Sequence, residues 1–90
     1  MNSLAKLREK SAKAKYNSEM AAFFMENAKP DADLKNLRLG INDIFGAGTV
    51  SETAGLEEIK AKLEEISNSA ERAEQEVSDV MKAANGGDAT

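Results

Sequence analysis

An apolar stripe with helical spacing occupies the C-terminal third of the chain and constrains the fold more than any other feature. The stripe recurs at alternating spacings of three and four, without a miss, at Leu56, Ile59, Leu63, Ile66, Ala70, Ala73, Val77, Val80 and Ala84. A helix that carries an unbroken heptad stripe must bury it against other helices, because alone it leaves the stripe in water. The sequence therefore predicts a long C-terminal helix with coiled-coil-like packing. The stripe indicates how the chain packs and names no ligand or reaction.

The composition favours an all-α chain and removes several kinds of chemistry. Ninety residues make one domain at most, with 41% hydrophobic, 31% charged and only 4% aromatic residues. The alternating runs of β-branched residues that are typical of strands are absent. The chain has no Cys for a disulfide or a thiolate–metal site, and no His to act as a general base or metal ligand. We therefore predict a protein that is not an enzyme, with no catalytic residue, no metal and no cofactor.

The hydrophobic pattern breaks twice, which predicts three helices. The predicted fold class is all-α, a helical hairpin or bundle with a coiled-coil-like C-terminal helix. Asn2 or Ser3 is the expected N-cap of the first helix. The predicted helices cover about residues 3–29, 31–45 and 52–84. We expect residues 1–85 to form a single helical domain and residues 86–90 a flexible tail.

Proline and glycine mark the predicted ends of these helices. Pro30 has no N–H group and restricts the residue before it, so it should end the first helix. Asp31 is then the expected N-cap of the second helix. Gly46 is well placed to end that helix in a left-handed turn. The Gly-rich residues 46–51 are predicted to be a hinge.

Two further predictions concern a glycine inside the second helix and the N-cap of the third helix. Gly40 costs about 1 kcal/mol relative to Ala inside a helix, so we expect close packing against a neighbour there. Thr49 and Glu52 have the spacing of a capping box for the third helix, and Ser51 or Thr53 are alternative caps.

The first predicted helix is apolar on two opposite faces. One face carries Leu4, Leu7, Ala14, Ala21, Met25 and Ala28. The other carries Tyr16, Met20 and Phe23, with Ala5 and Ala12. A helix that is apolar on two sides must be covered on two sides, which predicts a homo-oligomer or a larger protein partner. Whether the first and third helices run parallel or antiparallel stays open. The predicted interface residues are Tyr16, Met20, Phe23, Phe24, Leu56, Ile59, Leu63 and Ile66.

Charge is unevenly distributed along the chain. Residues 1–29 hold six basic and three acidic groups, whereas residues 51–90 hold four basic and ten acidic groups. A basic helix can bind a polyanion, either nucleic acid or an anionic membrane. The favoured alternative is that the basic segment pairs with the acidic third helix of the same or a neighbouring subunit. The residues of the polyanion hypothesis are Lys6, Arg8, Lys10, Lys13 and Lys15.

Other motifs favour structural roles. Gly46-Ala47-Gly48-Thr49 follows a predicted helix rather than a strand and has no Gly-Lys-Ser/Thr run, so it is no phosphate cradle. The adjacent pairs Glu57-Glu58 and Glu64-Glu65 fall at heptad positions that face water. A hairpin of this size with a Gly-containing turn resembles the small secreted WXG-type proteins. Their turn carries Trp-x-Gly, whereas this chain has Phe45-Gly46-Ala47-Gly48 and no Trp, so it is not assigned to that family.

These observations predict a non-enzymatic, self-associating helical protein that acts through protein–protein contacts. It would be an assembly, scaffold or adaptor component, or a small protein inhibitor, of cellular or viral origin. The alternative is a polyanion-binding module that uses the basic N-terminal helix. The longest apolar run, Met20 to Met25, is too short to span a bilayer, and no signal-peptide pattern is present, so an intracellular, cytoplasmic location is expected.

Overall fold

Three helices and no strand make up the part of the chain that the computed structural model describes, residues 3–86. The helices are α1 (Ser3–Asn27), α2 (Leu34–Phe45) and α3 (Leu56–Gly86). The predicted all-α fold class is confirmed. The proposed cap at Asn2 and residues 87–90 of the proposed tail lie outside the described residues. Gly86, predicted to begin the tail, is the last residue of α3, so this helix ends two residues later than expected.

The two long helices form an antiparallel hairpin, which answers the question of orientation that the sequence left open. Lys10 lies in the first half of α1 and Glu76 in the second half of α3, and Lys10 Nζ is 2.7 Å from Glu76 Oε2. At the other end of the hairpin, Phe24 shares a core cluster with Ile59 and Leu63. At 1.5 Å per residue α1 is about 37 Å long and α3 about 46 Å, which matches an elongated shape. The principal extents are 56 × 24 × 15 Å.

The short helix α2 covers only part of this hairpin. With 12 residues it is about 18 Å long, roughly half the length of α1. We call residues 20–63 the closed half, and residues 3–19 and 64–86 the open half. The main core cluster lies wholly in the closed half and consists of Phe24, Ala28, Leu37, Ile41, Val50, Ala54, Ile59 and Leu63. The open half is therefore a two-helix structure without a third layer.

The connection between α1 and α2 differs in detail from the prediction. A turn closed by a hydrogen bond from Ala32 N–H to Lys29 O (2.9 Å) takes up the residues around Pro30. Helix α1 therefore ends at Asn27 rather than at Lys29. The N-cap predicted at Asp31 is wrong, because Asp31 lies inside this turn and α2 begins only at Leu34. Asp33 is the cap, and one of its carboxylate oxygens accepts from the backbone N–H of Asn36 (3.3 Å).

The segment predicted to be a hinge is anchored instead. Gly46 ends α2 with φ 118° and ψ 147°, a conformation outside the left-handed helical region and open essentially to glycine alone. Beyond it, the Asn42 side chain makes a two-way bridge to the buried Val50. The Val50 N–H donates to Asn42 Oδ1 (2.9 Å), and Asn42 Nδ2 donates to Val50 O (3.0 Å). The Thr49 hydroxyl also donates to Gly46 O (2.6 Å).

Helix α3 begins four residues later than predicted. Its first residue is Leu56, and the Gly55 carbonyl accepts the first helical hydrogen bond, from Ile59 N–H (3.0 Å). The delay has a packing cause, since Ala54 is buried in the core and Arg38 Nε donates to the Ala54 carbonyl (2.8 Å). The irregular chain before Leu56 thus lies against the closed half. The N-caps predicted for α3 at Thr49, Ser51 or Thr53 are therefore wrong.

Gly40 packs closely against an aromatic ring, as expected of a helical glycine. A β-carbon at Gly40 would lie 3.0 Å from Cε1 of Phe24. The Phe24 ring is also held by Phe45, with ring centroids 6.0 Å apart. Glycine therefore lets α2 lie close to α1 at the level of Phe24.

Candidate interaction surfaces

The eight residues predicted to form an interface divide into two groups. Tyr16 and Phe23 lie on the side of α1 that faces away from the core, and their exposed fractions are 48% and 53%. The others lie within the chain's own packing, either buried in the core or partly buried beside it. Those residues are Phe24, Ile59 and Leu63 in the first case, and Met20 and Leu56 in the second. Ile66 is partly buried but does not belong to that cluster. A partner can reach the first group without any change in the hairpin.

The exposed aromatic residues belong to an acidic strip along the second half of α1. Tyr16, Glu19, Phe23 and Glu26 follow one another at spacings of three and four, so they share one side of the helix, and all four are exposed. No Lys or Arg occurs from Tyr16 to Asn27. The Phe23 ring rests edge-on against Phe24, with centroids 5.4 Å apart, so its position is set by the core. We call these four residues the aromatic face.

A basic groove is the second surface, and it runs between α1 and α3, mainly in the open half. Its volume is 540 Å³. Phe45, the last residue of α2, lines the groove at the end nearest the core, so the groove continues beyond α2 along the hairpin. Three alanines contribute to its apolar lining together with Phe45 and Ile66, and four of its polar lining residues are cations. The lining residues are Lys10, Lys13, Ala14, Asn17, Phe45, Thr49, Lys62, Glu65, Ile66, Ser69, Ala70, Arg72 and Ala73.

The anchored α2–α3 connection fixes the inner end of this groove. Thr49 lines it, and its hydroxyl is bonded to Gly46 O. The next residue, Val50, is held by Asn42 through two hydrogen bonds. Three side-chain hydrogen bonds therefore hold the inner end of the groove, and such an arrangement lowers the ordering cost of binding.

Two of the four groove cations are paired with carboxylates. Lys10 Nζ lies 2.7 Å from Glu76, and Lys62 Nζ lies 3.6 Å from Glu65. The hydrogen bond and the charge of Lys10 lower the pKa of the Glu76 carboxyl below its ordinary value, and Arg72 adds a weaker effect in the same direction. Within residues 3–86, neither Lys13 nor Arg72 has a carboxylate within 4.0 Å. The groove therefore keeps an excess of positive charge.

The five basic residues of the polyanion hypothesis do not share one surface. All are exposed, but only Lys10 and Lys13 line the groove. Arg8 and Lys15 each stand two residues from a groove lysine, and two residues on a helix are about 200° apart. They therefore project from another side of α1. Lys6 does not line the groove.

Sequence reasoning missed the contribution of α3 to the groove. Lys62 and Arg72 lie on α3, which is acidic overall, so the net charge of this helix gives no indication that two of its cations line a basic groove. A partial signal was present, because Lys62, Ser69 and Glu76 recur every seven residues beside the apolar stripe, where side chains meet a neighbouring helix. The juxtaposition with Lys13 depends on the antiparallel pairing, which the sequence left open.

The described residues offer little else that indicates a ligand. Within residues 3–86 no group of three or more His, Cys, Asp or Glu residues is placed to hold a metal ion. The same part of the chain contains no buried side-chain polar atom without a hydrogen-bond partner. None of α1, α2 and α3 is long and apolar enough to cross a membrane. No family model, curated protein or solved structure matches this chain.

Proposed function

We propose that this protein is a non-enzymatic, self-associating helical protein that acts through protein–protein contacts. Such a protein serves as an assembly, scaffold or adaptor component, or as a small protein inhibitor. The observation that carries the proposal is the exposure of Tyr16 and Phe23 on the side of α1 turned away from the core. Large aromatic residues are favoured at interfaces because they bury much area at a low cost in side-chain entropy.

The shape of the open half supports this proposal. Here the apolar stripe of α3 runs beyond the cover that the chain supplies, and Val80 and Met81 are exposed. Burial of such a side chain contributes about 1.5–3 kcal/mol when it is complete. A second subunit supplies the cover that α2 provides in the closed half.

The test is the concentration dependence of the molar mass, measured by size-exclusion chromatography with light scattering at micromolar concentrations. We expect masses above that of the monomer. Phe23→Ser should weaken association about tenfold or more, because truncation of an aromatic interface residue costs at least about 1.4 kcal/mol. Leu39→Ser is the matched control, since Leu39 is 59% exposed but lies on α2, away from the aromatic face.

Circular dichroism of both variants separates loss of association from loss of fold. A wild-type protein that is monomeric throughout, with Phe23→Ser well folded and soluble, would contradict the proposal. Equal loss of association in Leu39→Ser would show that the effect is not specific to α1.

A second candidate function is binding of a polyanion, and the observation that favours it is the set of four cations in the groove. This function predicts binding of a fluorescein-labelled DNA duplex or of anionic vesicles that weakens steeply with salt. Lys13→Glu/Arg72→Glu should abolish such binding, whereas Arg8→Glu/Lys15→Glu carries the same charge change away from the groove. The absence of binding at about 50 mM salt, where phosphate contacts are strong, would eliminate this candidate.

A further inference from the structure

The groove has the form of a seat for a helix. Its apolar lining includes Ala14, Ala70 and Ala73, and such small side chains let a further helix approach closely. The groove also lies beyond the C-terminal residue of α2, Phe45. An occupant therefore covers in the open half what α2 covers in the closed half.

The charges of the groove define the chemistry of its occupant. Four cations line it, and Glu65 and Glu76 pair with two of them, which leaves Lys13 and Arg72 without a close carboxylate in the described part of the chain. The occupant that fits is a helix with large apolar side chains, which cover the alanines on the floor of the groove, and with carboxylates, which pair with the cations at its rim.

The aromatic face has this character. Tyr16 and Phe23 are seven residues apart, which is about 10.5 Å along a helix. Lys10 and Asn17, on the α1 wall of the groove, have the same separation. Glu19 and Glu26 repeat it beside the aromatic rings, and no cation interrupts them.

The outer side of α3 does not fit the groove. From Glu57 to Glu76 its exposed side chains are mostly acidic, and none of the apolar ones is larger than Ala61. The carboxylates of such a surface could pair with the cations of the groove, but it has no large apolar side chain to cover the alanines. Within residues 3–86, the aromatic face is thus the surface that combines exposed aromatic rings with carboxylates alone.

We infer that self-association is head-to-tail, with the aromatic face of one copy lying in the basic groove of the next. Glu19 and Glu26 then meet the excess charge of Lys13 and Arg72, and the two aromatic rings cover the alanine floor. This inference rests on the proposed self-association and specifies the surfaces that carry it.

The position of the two surfaces on α1 determines the symmetry of the assembly. Asn17 of the groove and Phe23 of the aromatic face are about 120° apart around the helix axis, at 100° per residue. In a twofold dimer the two copies of α1 are equivalent, so each would have to contact the other through the same side of its helix. The proposed contact uses the aromatic face of one α1 and the groove side of the other, and these two sides point in different directions. Each contact therefore leaves one groove and one face open, and the assembly grows into a ring or a chain.

Charge reversal on each side tests the inference. Lys13→Glu/Arg72→Glu blocks the groove and leaves the aromatic face intact, whereas Glu19→Lys/Glu26→Lys blocks the face and leaves the groove intact. All four positions are exposed, so the fold is retained, which circular dichroism checks. Each variant alone should sediment as a monomer at concentrations where the wild-type protein is associated. Their equimolar mixture should associate again, because each protein then meets complementary surfaces on the other: the intact face meets the intact groove, and the reversed face meets the reversed groove.

Lys29→Glu/Lys35→Glu is the matched control for the groove variant, with an equal change in net charge at exposed positions outside both the groove and the aromatic face. It should associate like the wild-type protein. Wild-type association that both charge-reversed variants retain would overturn the inference and leave the proposed self-association standing. A mixture that stays monomeric, or a control that also dissociates, would overturn the inference as well. A wild-type protein that is monomeric at every concentration would overturn both the inference and the proposed function.

Discussion

The two halves of the hairpin share one heptad stripe but bury very different side chains. In the closed half, Ile59 and Leu63 are completely buried beneath α2 and the chain that follows it. In the open half, the buried side chains among the described residues are Ala14, Ala70 and Val77. Burial of a Leu, Ile or Val side chain contributes about 1.5–3 kcal/mol, whereas burial of the single side-chain carbon of Ala contributes about 0.8 kcal/mol. Most of the hydrophobic stabilisation therefore lies in the closed half.

The difference shows that the period of an apolar stripe and the size of its residues carry separate information. The period makes α3 one continuous helix, whereas the change from Ile and Leu to Ala along it decides where the core ends. Where the residues are small and no third helix lies over them, the hairpin keeps a groove. The closed half therefore holds the fold together, and the open half offers surface for a partner.

The sharpest test of this comparison is a pair of truncations on α3, one in each half. Leu63→Ala should lower the free energy of unfolding by about 2–5 kcal/mol, because it leaves a cavity in a fully buried site. Val80→Ala removes a side chain that is 49% exposed, so its effect should stay within about 0.5 kcal/mol. Urea unfolding followed by circular dichroism measures both, at a protein concentration low enough to keep the protein monomeric. Equal losses in the two variants would break the comparison.

Within the closed half, the Asn42 bridge should matter more than an ordinary surface amide. Asn42→Ala leaves the N–H and carbonyl of the buried Val50 without their partners, which should cost about 1–3 kcal/mol. Asn68→Ala on the exposed side of α3 is the control and should change stability little. Amide hydrogen exchange should show faster exchange at residues 46–54 in Asn42→Ala alone. If the exchange rates there do not change, the segment is held by packing and the bridge contributes nothing to its order.

The sequence predicted the features that depend on local patterns. The apolar face of α2 places Leu37 and Ile41 in the core, and a helix break follows Phe45. The two apolar sides of α1 also follow from spacing alone. Prediction was less successful where a turn competes for the same residues: the turn at Pro30 moved the cap from Asp31 to Asp33, because both residues are plausible caps and only tertiary packing decides between them.

The basic groove could not be predicted from the sequence, because its two sides are far apart in the chain. Lys13 and Arg72 come together only through the antiparallel pairing of α1 with α3, and that orientation depends on how α2 and residues 46–55 pack. The delayed start of α3 has a similar cause, since burial of Val50 and Ala54 favours irregular chain where local signals favour a helix. The surfaces proposed for association thus depend on long-range contacts that no local pattern records.

The smallest predicted effect concerns the ion pair that joins the two helices of the open half. The pKa of Glu76 is lowered by its hydrogen bond and attraction to Lys10, and the side chain is exposed. Because the folded pKa lies below the ordinary value of 4.5, the stabilisation is present above about pH 4.5 and is lost as the pH falls through the folded pKa. Lys10→Gln should raise the pKa of Glu76 towards its ordinary value, as followed by the carboxyl chemical shift in an NMR titration.

Lys15→Gln is the control for this titration, because Lys15 lies on another side of α1 and should leave the pKa of Glu76 unchanged. An increase in salt to about 1 M, where charges are screened within about 3 Å, should remove part of the shift but not the contribution of the hydrogen bond. The unfolding free energy of the wild-type protein and of Lys10→Gln should differ little at any pH, since exposed ion pairs contribute little to stability. A large pH-dependent loss in Lys10→Gln would show that the open half depends on this pair, and the contrast between the two halves would then have to include charge as well as packing.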